Sequence, residues 1–268
     1  VDTQPLLTLC GDLVERAQKA GAQAAEAVAG RHRSVDTNLE NSDVHTVQTT
    51  EETTYGLRVL VDGRLGFVTS NRSSPDALDA CVDEALAQAK ATPPDPLNDL
   101  PEAQPIRAVE GLFDPAVTKL DASDTTRLAA EILGKVRDAD SRIRIDSGSV
   151  SAGTSAGALV SSRGVELAET GTGLDAYLFG MAVDGDEVAS FDYDGEASRR
   201  WDGFDAAAHA AVERFVAKCT SGLGATAGKS FKGKILLSPE AVAEFLLPNL
   251  TAAMSAEAVR KGRSPLAD

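Results

Sequence analysis

Tyr55, Leu57, Val59 and Val61 place apolar side chains at every second position, Asp62-Gly63 follows, and Arg64 to Ser70 continues as a second strand pattern. An Asp-Gly pair between two period-two runs is the strongest short-range signal for a β-hairpin. The chain must therefore contain antiparallel sheet. The segment before it agrees. Val35, Thr37 and Leu39 alternate, Asn41-Ser42-Asp43 reads as a turn, and Val44 to Thr50 reads as a returning strand.

Helices flank this β region. Thr3 is placed to cap a helix with Pro5 in its first turn, and Leu6, Leu9, Cys10, Leu13, Val14 and Ala17 follow at helical spacing up to Gly21. Ser74-Pro75 opens a second helix, whose stripe of Ala77, Leu78, Cys81, Val82, Ala85, Leu86 and Ala89 ends at Thr92-Pro93-Pro94. Five prolines between Pro93 and Pro105 read as a linker. Beyond it, a helix from Ser123 is expected to bury Leu128, Ile132, Leu133 and Val136. Strands are expected from Ile143 to Asp194, with breaks at Ser151–Ser155, 162–164, 170–173 and 184–187. A helix over Asp205–Cys219 follows, then a flexible break over Gly222–Gly228 and a short strand over Lys234–Leu237. Ser238-Pro239 opens a last helix, expected to be kinked at Pro248, with Val242, Phe245, Leu246 and Leu250 inside. The fold class read from this order is α+β, with mixed or antiparallel sheets and flanking helices. Three regions are expected: 1–105, 106–222 and 223–268. The chain stops soon after a helical pattern and begins with Val, so a fragment with a truncated third region is expected.

The net charge of −15 disfavours phosphate backbones and anionic lipid as partners. Cys10, Cys81 and Cys219 each lie in an apolar helical segment and form no C-x-x-C pair, which predicts buried free thiols and a reducing, cytoplasmic compartment. No apolar run reaches the roughly 20 residues that cross a bilayer.

Several short patterns suggest chemistry, and each has a plainer reading. Gly153-Thr154-Ser155-Ala156-Gly157 has the G-x-S-x-G spacing of a serine-hydrolase elbow, but a strand pattern rather than a helix follows it, so a small-residue turn is expected. Its histidine would have to be His32, His45 or His209. Gly222 to Ser230, including Lys229, resembles a phosphate-binding loop, but the glycine register fails and a helix precedes it where a strand should. His209 and Glu213 lie four apart on one helix, but two ligands do not close a zinc site. Asp192 to Glu196 lacks the spacing of a calcium loop, and Arg199 and Arg200 are expected to pair with it. Glu240 and Glu244 read as a solvated helix face.

Taken together, the chain resembles the TldD/PmbA family. Tyr55-Gly56-Leu57-Arg58-Val59, Asp62-Gly63-Arg64-Leu65-Gly66-Phe67, and Ser74-Pro75-Asp76-Ala77-Leu78 through Pro93-Pro94-Asp95-Pro96 resemble its first domain. The strands from Ser147 to Asp194 resemble its second. Leu236 to Val242, Ser255 to Val259 and Gly262-Arg263-Ser264 resemble the start of the third domain in its PmbA (TldE) branch. The resemblance implies a cytoplasmic zinc metalloprotease of two related subunits that cleaves extended peptides, with roles in peptide-antibiotic maturation and antitoxin turnover and an old link to DNA gyrase. It also implies that a TldD-type partner holds the zinc on an H-E-x-x-x-H helix. The matching stretch here, Ser238 to Leu247, contains no histidine. No catalytic, cofactor-binding or metal-ligating residue is therefore assigned to this chain. The implied partners are a TldD-type subunit or a second copy, together with a peptide.

Overall fold

The computed structural model describes residues 1–266; Ala267 and Asp268, the end of the expected third region, lie outside the described residues. The chain forms two compact units, Val1–Ala225 and the segment from Thr226 onward.

The first unit is built on one antiparallel sheet in the order β3-β2-β1-β4-β5, with β6 and β7 both on the outer side of β5. Its strands are β1 (Ala24–Glu40), β2 (Asp43–Val61), β3 (Arg64–Ser70), β4 (Ile143–Ser161), β5 (Glu166–Asp184), β6 (Glu187–Val188) and β7 (Asp192–Ser198). The two tight turns take the form that the sequence demands. Asn41 and Ser42 have φ of 53° and 64°, and Asp62 and Gly63 have 51° and 70°. Two successive positive-φ residues match the right-handed strand twist.

Four helices cover one face: α1 (Gln4–Lys19), α2 (Pro75–Ala91), α3 (Ala122–Ala139) and α4 (Phe204–Ser221). The strand period of two explains why they share it. Odd-numbered Ala25, Ala27 and Ala29 of β1 pack with α1 and α2. Odd-numbered Leu39 of the same strand packs with α3 and α4. Thr37, fully buried between them, hydrogen-bonds Thr125 of α3 at 2.9 Å. Helix starts are fixed locally. The Ser74 hydroxyl accepts from Ala77 N–H, and Asp121 forms a capping box with Asp124. Thr3 makes no such bond, because Pro5 has no N–H and the Leu6 N–H already donates to the Thr3 carbonyl at 3.1 Å.

Two expectations about strands are corrected. The breaks at Ser151–Ser155 and at 170–173 do not exist, because both stretches are strand interior in β4 and β5, paired to each other residue by residue. The returning strand does not stop at Thr50 but runs on to Val61 as one strand. The proline-rich stretch leads from α2 toward α3, but the sheet is continuous across it, since β1 pairs with β4 from Glu26↔Ser161 to Glu40↔Ser147.

In the second unit, the strand expected over Lys234–Leu237 is absent, because no described neighbour offers a ladder to it, and Leu236 is 98% exposed. Pro239–Ala241 (α5) leads through a π-turn at Val242–Leu246 into α6 (Leu247–Met254), and α7 (Ala256–Arg260) follows. The break expected at Pro248 thus falls just before it, where Pro248 sits in the first turn of α6. The stripe expected inside is not buried. Phe245 is 69% exposed, and Leu246 and Leu250 are exposed too, because three short helical pieces supply no second layer to cover them.

Candidate functional site: the helix-free face of the sheet

The even residues of β1 and the odd residues of β4 and β5 turn away from the helices. Cross-strand pairing sorts them into rows: Glu52, His32, Ser155 and Gly171; then Thr50, Ser34, Gly153 and Gly173; then Gln48, Asp36, Ser151 and Asp175. A groove of about 340 Å³ lies over these rows, lined by His32, Ser34, Asp36, Ser151, Ser155 and Asp175 among others. Gly153 and Gly173 form its floor, so the backbone itself is accessible to a ligand.

The walls are polar. Asp36 accepts from the Ser34 hydroxyl at 2.7 Å, and Asp175 faces the Ser149 hydroxyl at 3.5 Å. Burial raises the Asp175 carboxyl above its ordinary value, and the Ser149 hydrogen bond opposes that shift only in part. Near the Ser155 end, a side chain grown on Gly171 would meet Ser155 Oγ at 3.0 Å and Arg199 Nη1 at 3.4 Å. A second recess of about 420 Å³ lies further along the same face, between Pro101–Ile106 and the ends of β1, β4 and β5. Its lining is mixed: Leu159 and Leu167 stand beside Glu26, Glu102 and Glu166, and Val28 and Phe67 of neighbouring strands lie exposed.

Ser155 is therefore mid-strand, and the small-residue turn expected at Gly153–Gly157 is corrected to a flat stretch of β4. Register places His32 opposite Ser155 and Glu52 opposite His32, a juxtaposition the sequence conceals because β4 lies far in the chain from β1 and β2. The row is not an assembled triad. Ser155 Oγ points to the Gly171 carbonyl at 3.5 Å, and among the described residues no hydrogen bond joins Ser155 to His32 or His32 to Glu52.

The other candidates are engaged elsewhere. His209 Nε2 lies 3.4 Å from Glu131, and Glu213 accepts from Lys135 at 2.8 Å, so both serve the packing of α3 on α4. Asp194 is 6% exposed and pairs with Arg214 and Lys218 of α4, at 2.8 Å each. The expected pairing with Arg199 and Arg200 is thus corrected: these arginines follow β7, whereas α4 packs directly on it. Gly222 ends α4, and no helix opens after Lys229 until Pro239, so no helix N-terminus faces the loop. Glu240 and Glu244 are separated by the passage from α5 into the π-turn. The stretch Ser238–Leu247 offers two carboxylates and no imidazole, a donor set that does not fit zinc. Among the described residues no three metal-binding side chains cluster. Cys10, Cys81 and Cys219 are buried free thiols, as the sequence predicts.

Residues 25–89 match the model of PmbA/TldA metallopeptidase domain 1, and residues 115–219 match that of the PmbA/TldA metallopeptidase central domain. An uncharacterised protein of Methanocaldococcus jannaschii is 28% identical over 260 residues, 95% of this chain and 56% of that protein. TldE from Thermococcus kodakarensis superposes with a TM-score of 0.78 at 19% identity, covering 97% of this chain and 58% of that one. A candidate modulator of DNA gyrase from Bacteroides thetaiotaomicron gives 0.85 at 20% identity, covering 99% and 61%. At such identities the structural likeness shows the fold alone. The chain spans a little over half the length of these relatives.

Proposed function

Since the chain belongs to the PmbA/TldD metallopeptidase family, we propose that it is the non-catalytic, TldE-type member of a two-subunit zinc peptidase. The carrying observation is the stretch Ser238–Leu247. Where the resemblance implies a zinc helix, this chain has Glu240 and Glu244 but no histidine. Without the two imidazoles of that motif, the stretch can neither hold zinc nor activate a water molecule. The chain's part is then to hold peptide while a TldD-type partner supplies the metal.

The helix-free face supports this role. It combines a groove on a glycine floor with a second recess where Leu159 and Leu167 stand beside Glu26, Glu102 and Glu166, and both lie along strands. The strands beneath the groove already pair on both sides, so on this face a peptide is held by side chains such as His32, Ser34, Asp36 and Asp175, while main-chain pairing is open to it only at a free strand edge. The three buried thiols support a cytoplasmic setting. No helix among the described residues is long and apolar enough to cross a membrane.

The test is proteolysis of unfolded peptides by the purified chain in zinc-containing buffer, with and without a TldD-type subunit. Cleavage is expected only in the mixture, and metal analysis of the chain alone should find no stoichiometric zinc. Cleavage by the chain alone would refute the assignment. A second reading, a stand-alone homodimeric peptide-binding scaffold, is favoured by the unpaired edge of β2.

A further inference from the structure

Asp36 of β1, Ser151 of β4 and Asp175 of β5 stand in one cross-strand row. Neighbouring strands lie about 4.8 Å apart, so the two aspartate backbones are about 10 Å apart with only a serine between them. Both carboxylates line the groove over Gly153 and Gly173, and no Lys or Arg lines it. Both are half-buried, yet hydroxyls are their only partners among the described residues. The Ser149 contact of Asp175, at 3.5 Å, is at the limit of a hydrogen bond. Carboxylates half-buried elsewhere on the same sheet meet cations: Glu26 meets Arg58 at 2.6 Å, and Glu196 meets Arg214 at 3.4 Å. Asp175 thus bears its burial with no counter-charge, which is why its carboxyl lies above its ordinary value. The floor beside the acids is a separate feature. Gly153 and Gly173 face each other one alternate position along from Ser151 and Asp175, and a Cβ added at Gly173 would meet nothing within 4 Å. The step from the glycine row to the acid row is about 6.6 Å, a span that the stem of a Lys or Arg side chain covers.

We propose that this groove is a pocket for one basic side chain of an extended peptide, a Lys or Arg whose stem lies over Gly153 and Gly173 and whose cationic head sits above Ser151 between Asp36 and Asp175. The proposal rests on the reading that the helix-free face holds peptide, and it names the peptides. The incoming cation supplies the counter-charge that the chain itself does not. Its attraction is stronger here than at an exposed acid, because half-buried carboxylates are screened less by water. A neutral side chain of the same length fills the floor but leaves the acids unpaired, and an acidic one is repelled. The net charge of −15 draws basic peptides toward the whole surface without choosing a place on it. The place is chosen by the acid row and the glycine floor, so Asp36 and Asp175 determine specificity.

The test uses the whole chain and two probes. The first is a set of fluorescein-labelled peptides of one length, built from Gly, Ser and Ala around a single central Arg, Lys, citrulline or Glu, and read by fluorescence anisotropy at near-physiological salt. Citrulline is the uncharged isostere of Arg. The Arg and Lys peptides should bind about tenfold tighter than the citrulline peptide, and the Glu peptide weakest. Asp36→Asn and Asp175→Asn should each remove most of that preference and leave the citrulline peptide unchanged. Asp83→Asn, at an exposed position of α2, removes the same charge away from the groove and should keep the preference. The second probe is N-acetyl-arginine amide, followed by amide NMR. It should shift Ser151, Gly153, Gly173 and Asp175, and its citrulline analogue should not. Peptides that bind with no preference for the basic residue overturn the pocket and leave the peptide-holding reading intact. Shifts at those four residues with no peptide binding support the pocket and overturn that reading. No response to either probe overturns both. An equal loss in Asp83→Asn, or shifts scattered over the surface, also overturns the pocket.

Discussion

Gly66 measures how tightly α2 sits on the sheet. A Cβ added there would lie 1.9 Å from the Ala85 carbonyl oxygen and 2.8 Å from the Ala89 nitrogen, both backbone atoms of α2. A carbon–oxygen contact needs about 3 Å at the least, so Gly66→Ala must push α2 and β3 apart by roughly 1 Å. No side chain can rotate away to relieve it. The same helix buries Leu78, Cys81, Val82, Ala85, Leu86 and Ala89 against the sheet. A gap of that size forfeits about a quarter to a half of each van der Waals well along the contact. Ordinary overpacking costs about 1–3 kcal/mol. A rigid backbone clash with loss of a whole helix contact places Gly66→Ala at about 3 kcal/mol or above. In a domain of this size that lowers Tm by roughly 6–12 °C. Urea denaturation followed by far-UV circular dichroism should show the midpoint fall with the slope unchanged. Gly173→Ala, on the open face with nothing within 4 Å, is the control and should be near neutral. If Gly66→Ala costs less than about 1 kcal/mol, α2 does not rest on β3 at this point and the packing described above is wrong.

Gly134→Ala, in the interior of α3 with open space around the added methyl, should stabilise by about 0.5–1 kcal/mol in the same denaturation assay. Asp194→Ala should destabilise by about 2 kcal/mol, less than a fully buried ion pair would lose, because Arg214 and Lys218 are partly solvated and can turn to water. Burial raises the Cys10 and Cys219 thiols from 9.0 to about 11, so both should resist thiol reagents at pH 8 in the native chain and react in denaturant. Hydrogen bonds from Arg142 lower the Asp140 carboxyl from 3.8 to about 2. Its stabilising contribution is therefore present above the unfolded-state value near 4 and is lost as pH falls toward 2. Carboxyl-carbon NMR of Arg142→Ala should find Asp140 titrating closer to 3.8.

What the sequence reveals depends on how local the cause is. The Asp62-Gly63 hairpin, the Ser74 cap and the stripes of α1 to α3 are encoded within a few residues, and each is found where its pattern puts it. β4 and β5 are misread because half of their residues face no layer. On such a face Gly153, Ser155, Gly171 and Gly173 are tolerated in mid-strand, and small polar residues in a row look like turns. The row of Glu52, His32 and Ser155 is invisible for another reason. It depends on the register between β1 and β4, whose paired residues His32 and Ser155 lie more than 100 positions apart, which no periodicity reports. The stripe around Phe245 reads as core from its spacing alone, yet burial requires a second layer that the described residues of that unit do not supply.

The ladder between β1 and β4 is the seam along which residues from either side of the proline-rich stretch are sewn together. A protease nick between Pro93 and Pro105 would cut the covalent thread without opening the seam, and the two pieces should travel as one particle until denatured. Expressed separately, each piece would present a raw strand margin some fifteen residues long and would tend to aggregate. Mixed during refolding, they should find each other again, so the chain is a natural candidate for a split reporter whose halves report co-expression.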